Sequence, residues 1–279
     1  MHGDETRAAL AELGPFFAVE SAAAADAAGG GSGWRSMAEL ADGSGVLAAR
    51  VAAVRGVLAA GGGQQPDAVE ERVAASVTHL GLVARLLSPY LALAVLYGHV
   101  PGAVRLSDLR WQPALGGPYP LALPGLPGRA ADPPAPAETG PAETGGVADL
   151  GRVAGLGGVA DAFAAAVLSG PVRELTAACA DFRVSPHVLR GNTASALAGA
   201  ARMVAAARPE AAARARALTG LLTAGGPLRG AGHLTPADAG GGHGAFRRRS
   251  CCLIYRAAPG HAGALCGDCA LSRVPVRPG

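Results

Sequence analysis

At 279 residues the chain is long enough for one large domain or two small ones with a proper hydrophobic core. Half of the residues are hydrophobic, only 4% are aromatic, and the net charge is +3 with all 24 basic residues arginine. A nucleic-acid binder is not expected, because such proteins concentrate basic residues in a stripe, and the one dense run here is Arg247-Arg248-Arg249. The absence of lysine and the single isoleucine, Ile254, read as a coding bias toward arginine, alanine and valine.

The amino terminus carries Asp4 and Glu5 and no basic stretch leading into an apolar run, so no secretory signal is expected. Residues 5–13 favour a helix, and the low-complexity stretch 22–33 reads as a loose loop. Val46, Val51, Val54 and Leu58 recur near helical spacing, which predicts a helix over 46–60 ended by Gly61-Gly62-Gly63. The strongest helix is expected from Pro66-Asp67, with Asp67 and Glu70 at capping-box spacing. Val69, Val73, Val77, Leu80, Val83 and Leu87 form its apolar stripe. Ser88-Pro89 should kink or break it. The apolar segment 80–97 contains Arg85 and Pro89 and falls short of the about 20 apolar residues a membrane span needs, so a buried core helix is expected and no membrane span.

Beyond Pro101 the pattern alternates. Val104–Leu106 and Leu109–Trp111 can pair with Tyr119–Leu123 in a small hairpin, which the prolines would confine to an edge. Residues 125–146, with Pro-Ala-Glu-Thr-Gly repeated at 136–140 and 141–145, read as a linker. Helices are expected over 159–168 and 172–182. Another starts at Ser185-Pro186, a cap followed by a first-turn proline, and runs past Asn192 with Leu197, Ala200 and Val204 inward. A last one opens at Pro209-Glu210 and stops near Gly225. The expected architecture is mainly α: an N-terminal helical region with a hairpin (1–124), the linker (125–146), a second helical region (147–244) and a C-terminal cysteine-rich, cluster-binding segment (245–279).

That last segment holds four of the five cysteines: Cys251-Cys252 and Cys266-Gly-Asp-Cys269. With neither export signal nor membrane span, the chain is expected in the cytoplasm, where clustered cysteines serve more often as metal ligands than as disulfides. Two thiolates two residues apart can face one metal across a tight turn, and Gly267 suits that turn while leaving N–H groups free for sulfur. The vicinal pair departs from the usual zinc-knuckle spacing. Three uses of the four thiols compete: an iron–sulfur cluster, a structural zinc and a metal-free redox dithiol. A cluster with four thiolates carries about −2 overall. Arg247, Arg248, Arg249 and Arg256 would offset that charge or attract an anionic substrate or donor; the competing account is a solvated basic turn.

The string from Phe246 to Arg256 followed by Leu265-Cys-Gly-Asp-Cys-Ala-Leu271 resembles the C-terminal motif of the FhuF-like ferric-siderophore reductases. The resemblance extends upstream to 184–195, around Gly191-Asn192, to the helix 74–89, and to Trp34-Arg35 and Arg110-Trp111. It implies a [2Fe–2S] cluster on Cys251, Cys252, Cys266 and Cys269. It further implies cytoplasmic reduction of a ferric siderophore, of hydroxamate type, with electrons from an external protein donor. Arg247, Arg248 and Arg249 would then lie where that substrate or donor docks. Residues 253–265 make the spacing thirteen instead of the family's ten or so; a flexible loop of that length costs little extra closure entropy. It also brings in His261, which could replace a thiolate as histidines do in Rieske centres. Two other readings remain open: a siderophore-binding or biosynthesis-related helical module above a structural zinc, and an electron carrier or sensor with another acceptor.

Gly155-Leu-Gly157-Gly-Val-Ala160 formally matches a dinucleotide fingerprint but lacks a preceding strand, so a helix start is expected instead of a nucleotide site. Cys179, on one face with Leu175 and Phe182, reads as a packed thiol. His79 reads as a core or boundary residue. Asn192 and Ser195 could line a pocket or simply serve the start and packing of their helix.

Overall fold

The computed structural model describes residues 2–126, 147–235 and 245–275. From residue 127 onward, the linker and its duplicated pentapeptide lie outside the described residues. In chain order the elements are α1 (His2–Glu12), β1 (Glu20–Ser21), α2 (Ala22–Ala27), β2 (Arg35–Ser36), α3 (Val46–Gly61), α4 (Glu71–Tyr97), β3 (Arg110–Trp111) and β4 (Leu121–Leu123). After the linker come α5 (Val147–Phe163), α6 (Arg173–Ala178), α7 (Pro186–Ala207), α8 (Ala212–Ala224), β5 (Gly232–Leu234) and β6 (Phe246–Arg248). The architecture is mostly helical, as the sequence predicts, with two small sheets where the sequence indicates one hairpin.

The helix α4 is the axis of the molecule. It packs most extensively along α7, and against α3 on another side. One hydrophobic core draws residues from both sides of the linker, from Leu10 and Phe17 to Leu218 and Phe246. By length and composition α4 could cross a bilayer, as could 155–182, but 72% of the most apolar window of α4 is buried inside the protein. Arg85 lies in that helix, 2% exposed, and is satisfied by carbonyls: Nε donates to Tyr119 O at 2.8 Å, Nη1 to Phe16 O at 2.9 Å, and Nη2 to Ala18 O.

Several local expectations change. Pro89 does not break α4, which runs unbroken for 27 residues. Packed against α3 and α7, the helix keeps its course, and Ser88 Oγ donates back to Ala84 O at 2.7 Å. The capping box at Asp67 does not form. Pro66–Ala68 is a separate 3₁₀ turn, α4 starts at Glu71, and the Glu70 side chain turns to Arg72 and Arg256. The stretch 22–33 is not a loose loop throughout, because Ser21 caps α2 by accepting from Ala24 N–H.

The hairpin pairs β3 with β4, Arg110 opposite Ala122 and Trp111 opposite Leu121. These are the two central strands of a sheet ordered β1-β4-β3-β2, not an edge. Pro113, Pro118 and Pro120 lie just outside the paired residues, so they remove no ladder bond. In the second half, Ser185 accepts from His187 N–H with Pro186 in the first turn, as expected. Between α5 and α6 the backbone passes through a π-helical turn, Ala164–Val172, bent at Gly170. The glycines 155, 157 and 158 lie inside α5 and not at a strand–helix turn, which removes the nucleotide reading.

Candidate metal centre

The cysteine segment has little regular structure. The strand β6 pairs with β5 in a two-stranded ribbon, His233 opposite Arg247, and two 3₁₀ turns, Ile254–Ala257 and Pro259–His261, follow. Its position is set by the helices beneath. From α4, Ser76 Oγ donates to Cys252 O at 2.8 Å. From α7, Asn192 Nδ2 donates to Ser76 O at 2.9 Å, while its Oδ1 accepts from Arg248 Nη2. One turn on, Ser195 Oγ donates to Asp268 Oδ2 at 2.7 Å, and Arg202 pairs with the same carboxylate at 3.2 Å. The Arg248 N–H donates to Asp268 O at 3.0 Å, tying the two cysteine pairs together through the backbone.

Gly191 is where α7 and this segment come closest. A Cβ there would overlap Ser250 Oγ and lie 3.1 Å from Arg248 Nη2. The Gly191-Asn192 pair therefore has a physical role: the glycine admits the segment and the asparagine, fully buried, bonds it. Asn192 and Ser195 both hold the cysteine segment. The signal that could have found them is their spacing, since 191, 192 and 195 lie on one helical face.

All five cysteines are free thiols. Four of them meet in two pairs: Cys252 Sγ lies 3.5 Å from Cys266 Sγ, and Cys251 Sγ lies 3.9 Å from Cys269 Sγ. Two thiolates on one tetrahedral metal, each about 2.3 Å from it, stand about 3.8 Å apart. Each pair therefore fits one iron, with the vicinal cysteines divided between the two. Among the described residues, no group of three or more His, Cys, Asp or Glu side chains is placed to hold a single metal ion. Pairwise gathering is what a two-iron centre asks of its ligands.

The N–H donors to sulfur come from Leu253, to Cys251 Sγ at 3.3 Å, and Leu271, to Cys269 Sγ at 3.4 Å, each two residues past its cysteine. Leu253 adopts a left-handed φ of 71° to make its turn. Gly267, by contrast, has neither a positive φ nor a neighbour that a Cβ would meet, so the turn closed by Cys269 N–H and Cys266 O does not depend on it. Side-chain hydrogen bonds with Cys251 and Cys266 pull the Cys252 thiol strongly down, helped by the Ile254 amide and the nearby Arg248 charge. Cys251 and Cys266 are pushed up, first by that same hydrogen bond and then by burial.

The arginine triplet divides. Arg247 and Arg249 are exposed, whereas Arg248 is 2% exposed and turned into the protein. Arg248 is thus removed from any surface where a substrate or donor docks, because strand alternation sends 247 and 249 outward and 248 inward. Its Nε and Nη1 have no hydrogen-bond partner. A buried cation with open N–H groups beside four thiols is the environment an anionic cluster fits.

The extra residues between the cysteine pairs are held down. Gly263 N–H donates to Tyr255 O at 2.9 Å, and Gln64 Nε2 donates to Ala257 O at 2.9 Å. Ala257 packs with Ala59, Val69 and Val73 at the α3–α4 turn. Arg256 pairs with Glu70, and His261 Nε2 lies 3.6 Å from Glu70 Oε1. His261 thus faces a carboxylate on the body of the protein.

Two other histidine and cysteine readings are settled by burial. His79 is fully buried with Nε2 3.1 Å from Thr176 Oγ1; desolvation and then the Arg248 charge push its pKa down to about 3. Cys179 is fully buried in the core, and desolvation raises its pKa to about 12.

Residues 248–271 match the family model described as the FhuF 2Fe-2S C-terminal domain, the family that the sequence resembles. The match starts at Arg248 and takes in all four paired cysteines. Its cofactor is a [2Fe–2S] cluster, in agreement with the two thiol pairs. No curated protein and no solved structure matches the chain.

Proposed function

We propose that this protein is a cytoplasmic ferric-siderophore reductase, delivering one electron to siderophore-bound Fe(III) and releasing Fe(II). The observation that supports it most is the matched segment, whose name belongs to a siderophore-linked iron–sulfur family, on thiols gathered as two pairs. When bound, the cluster supplies one-electron redox chemistry. The chain's own residues do the rest. Cys252 and Cys269 are buried while Cys251 and Cys266 are half-buried, so the ligand set reaches from the helical body toward the surface. Arg247 and Arg249 stand exposed next to it, a positive rim for an anionic siderophore complex or for the acidic face of a protein donor.

No covalent chemistry on the siderophore is required. Hard oxygen ligands such as hydroxamates hold Fe(III) far more tightly than Fe(II), so a single electron loosens the metal. The electron itself comes from an external protein donor. The test is anaerobic: reduce the protein, remove the reductant, add a ferric hydroxamate siderophore with an Fe(II)-trapping chelator, and follow both signals. One Fe(II) trapped per electron lost from the protein supports the reading. A reduced protein that stays reduced in the presence of ferric siderophores would overturn it and leave an electron carrier with another acceptor.

A further inference from the structure

Two arginines are almost fully buried, Arg85 and Arg248, and neither has a carboxylate within ion-pair distance among the described residues. Their surroundings differ. All three nitrogens of Arg85 donate to main-chain carbonyls, and its guanidinium stands 5.9 Å from the Tyr119 ring centroid. Those dipoles replace the water it has lost. Arg248 has only Nη2 occupied, by Asn192 Oδ1 and by Val188 O at 3.3 Å. It is the only side chain among the described residues with two buried nitrogens, Nε and Nη1, left without a partner.

A buried cation without a counter-ion is costly, and open N–H groups add to that cost. The missing partner must be anionic and close. Arg248 lies at the foot of the cysteine segment: its main-chain N–H donates to Asp268 O at 3.0 Å, next to Cys269, and its Nη2 bonds Asn192, which bonds Ser76, the residue that holds Cys252 O at 2.8 Å. Oxidised, a [2Fe–2S] centre on four thiolates carries about −2, and one added electron makes it about −3.

We infer that Arg248, fixed by Asn192, is the internal counter-charge of the cluster: it acts from below on the Cys252–Cys266 side and raises the reduction potential. Arg248 is a positioning residue in this account, acting through charge and not by touching substrate. The inference rests on the cluster and is independent of which acceptor takes the electron. Because the charge is buried, salt screens it little, unlike Arg247 and Arg249 at the surface.

The test is a redox titration of the purified holoprotein, followed by visible absorption, with iron and sulfide assayed in each variant. Arg248→Gln should keep the cluster and lower its potential by about 59 mV or more, a tenfold or greater shift in the oxidised-to-reduced ratio for one electron. The shift should persist in about 1 M salt, where the Debye length is about 3 Å. Arg248→Lys should restore most of it, which a purely structural role for the guanidinium would not do. An Arg248→Gln potential equal to that of the parent protein, with full iron, overturns the inference.

If Arg248→Gln cannot hold the cluster, Asn192→Asp decides. It leaves the arginine in place and sets a carboxylate against it, so the potential must fall; an unchanged potential in that variant overturns the inference too. A parent protein without two irons and two sulfides would refute the cluster itself, a separate result from either of these.

Discussion

Replacing Gly191 by alanine sets two opposing effects against each other in one helix. In α7, alanine is favoured over glycine by about 1 kcal/mol in an open position. At 191 the position is not open. The new Cβ would overlap Ser250 Oγ and crowd Arg248 Nη2 at 3.1 Å and Nε at 3.4 Å. Ser250 can rotate away only by giving up its hydrogen bond to His187 O at 2.8 Å, a loss of about 1 kcal/mol. Moving the buried guanidinium is an overpacking cost of about 1–3 kcal/mol. The sum is a net loss of about 1–3 kcal/mol.

Gly199, two turns on in the same helix, is the control. Its Cβ would meet only the tip of Arg202 at 3.8 Å, so Gly199→Ala should gain about 1 kcal/mol. Thermal unfolding of the two variants should therefore move in opposite directions, by about 2–4 °C per kcal/mol for a protein of this size. The rate at which a chelator strips iron should rise in Gly191→Ala alone. A Gly191→Ala protein that gains stability like Gly199→Ala and holds its iron as firmly would refute the close contact between α7 and the cysteine segment.

His79→Gln should flatten the acid limb of the stability curve. The folded pKa of about 3 lies below the ordinary value of 6.5, so the unfolded chain takes up the proton first. The histidine's contribution is whole above pH 6.5 and is lost as pH falls, about 2 kcal/mol by pH 5; equal acid sensitivity of variant and parent in urea titrations at pH 7 and 5 would contradict this. Cys179, fully buried in the core with its thiol pushed up to about 12, should resist alkylation at pH 8 in protein stripped of metal, while the four C-terminal cysteines, on a segment the metal no longer holds, react. Mass mapping of the labelled peptides reads this directly, and early labelling at Cys179 would contradict its burial.

The sequence carried the start of α7 and the end of α3, though not the start of α4, where the capping box read at Asp67 does not form. Ser185-Pro186 starts α7 as read, and Gly61-Gly62 ends α3 as read. It failed where small or polar residues do the packing. The apolar stripe drawn on α4 includes Val77 and Leu80, which are only half-buried, and leaves out Ala74, Ala75, Ser76, Thr78 and His79, which are buried. Among them Ser76 bonds Asn192 of α7 and Cys252 of the cysteine segment, and His79 meets Thr176 of α6; hydrophobicity alone does not mark such positions.

For the same reason the four cysteines were legible but their supports were not. Ser76, Asn192, Ser195 and Asp268 act by hydrogen bonds across 56 to 176 residues of sequence. The division of Arg247, Arg248 and Arg249 needed β6 to be recognised as a strand. A three-residue strand next to a glycine-rich stretch gives too short a period to read.

These supports imply an order of dependence between the body and the metal. The main core, built on α4, α7 and α8, contains Phe246 but none of the four paired cysteines. The cysteine segment contributes mainly Ala257 and Leu253 to a small separate cluster with Ala59, Val69 and Val73. Its own secondary structure is two 3₁₀ turns and one short strand, which cannot repay the conformational entropy of ordering some thirty residues. The helical body should therefore fold without metal, and the segment should not. Stripping the cluster with a chelator under reducing conditions should leave most helical circular dichroism in place. It should also open 249–265 to proteolysis, and the thiols freed from their shared charge would repel as they ionise. Loss of the helical signal together with the metal would mean that the ligands hold α4 and α7 together, and the order of dependence argued here would be reversed.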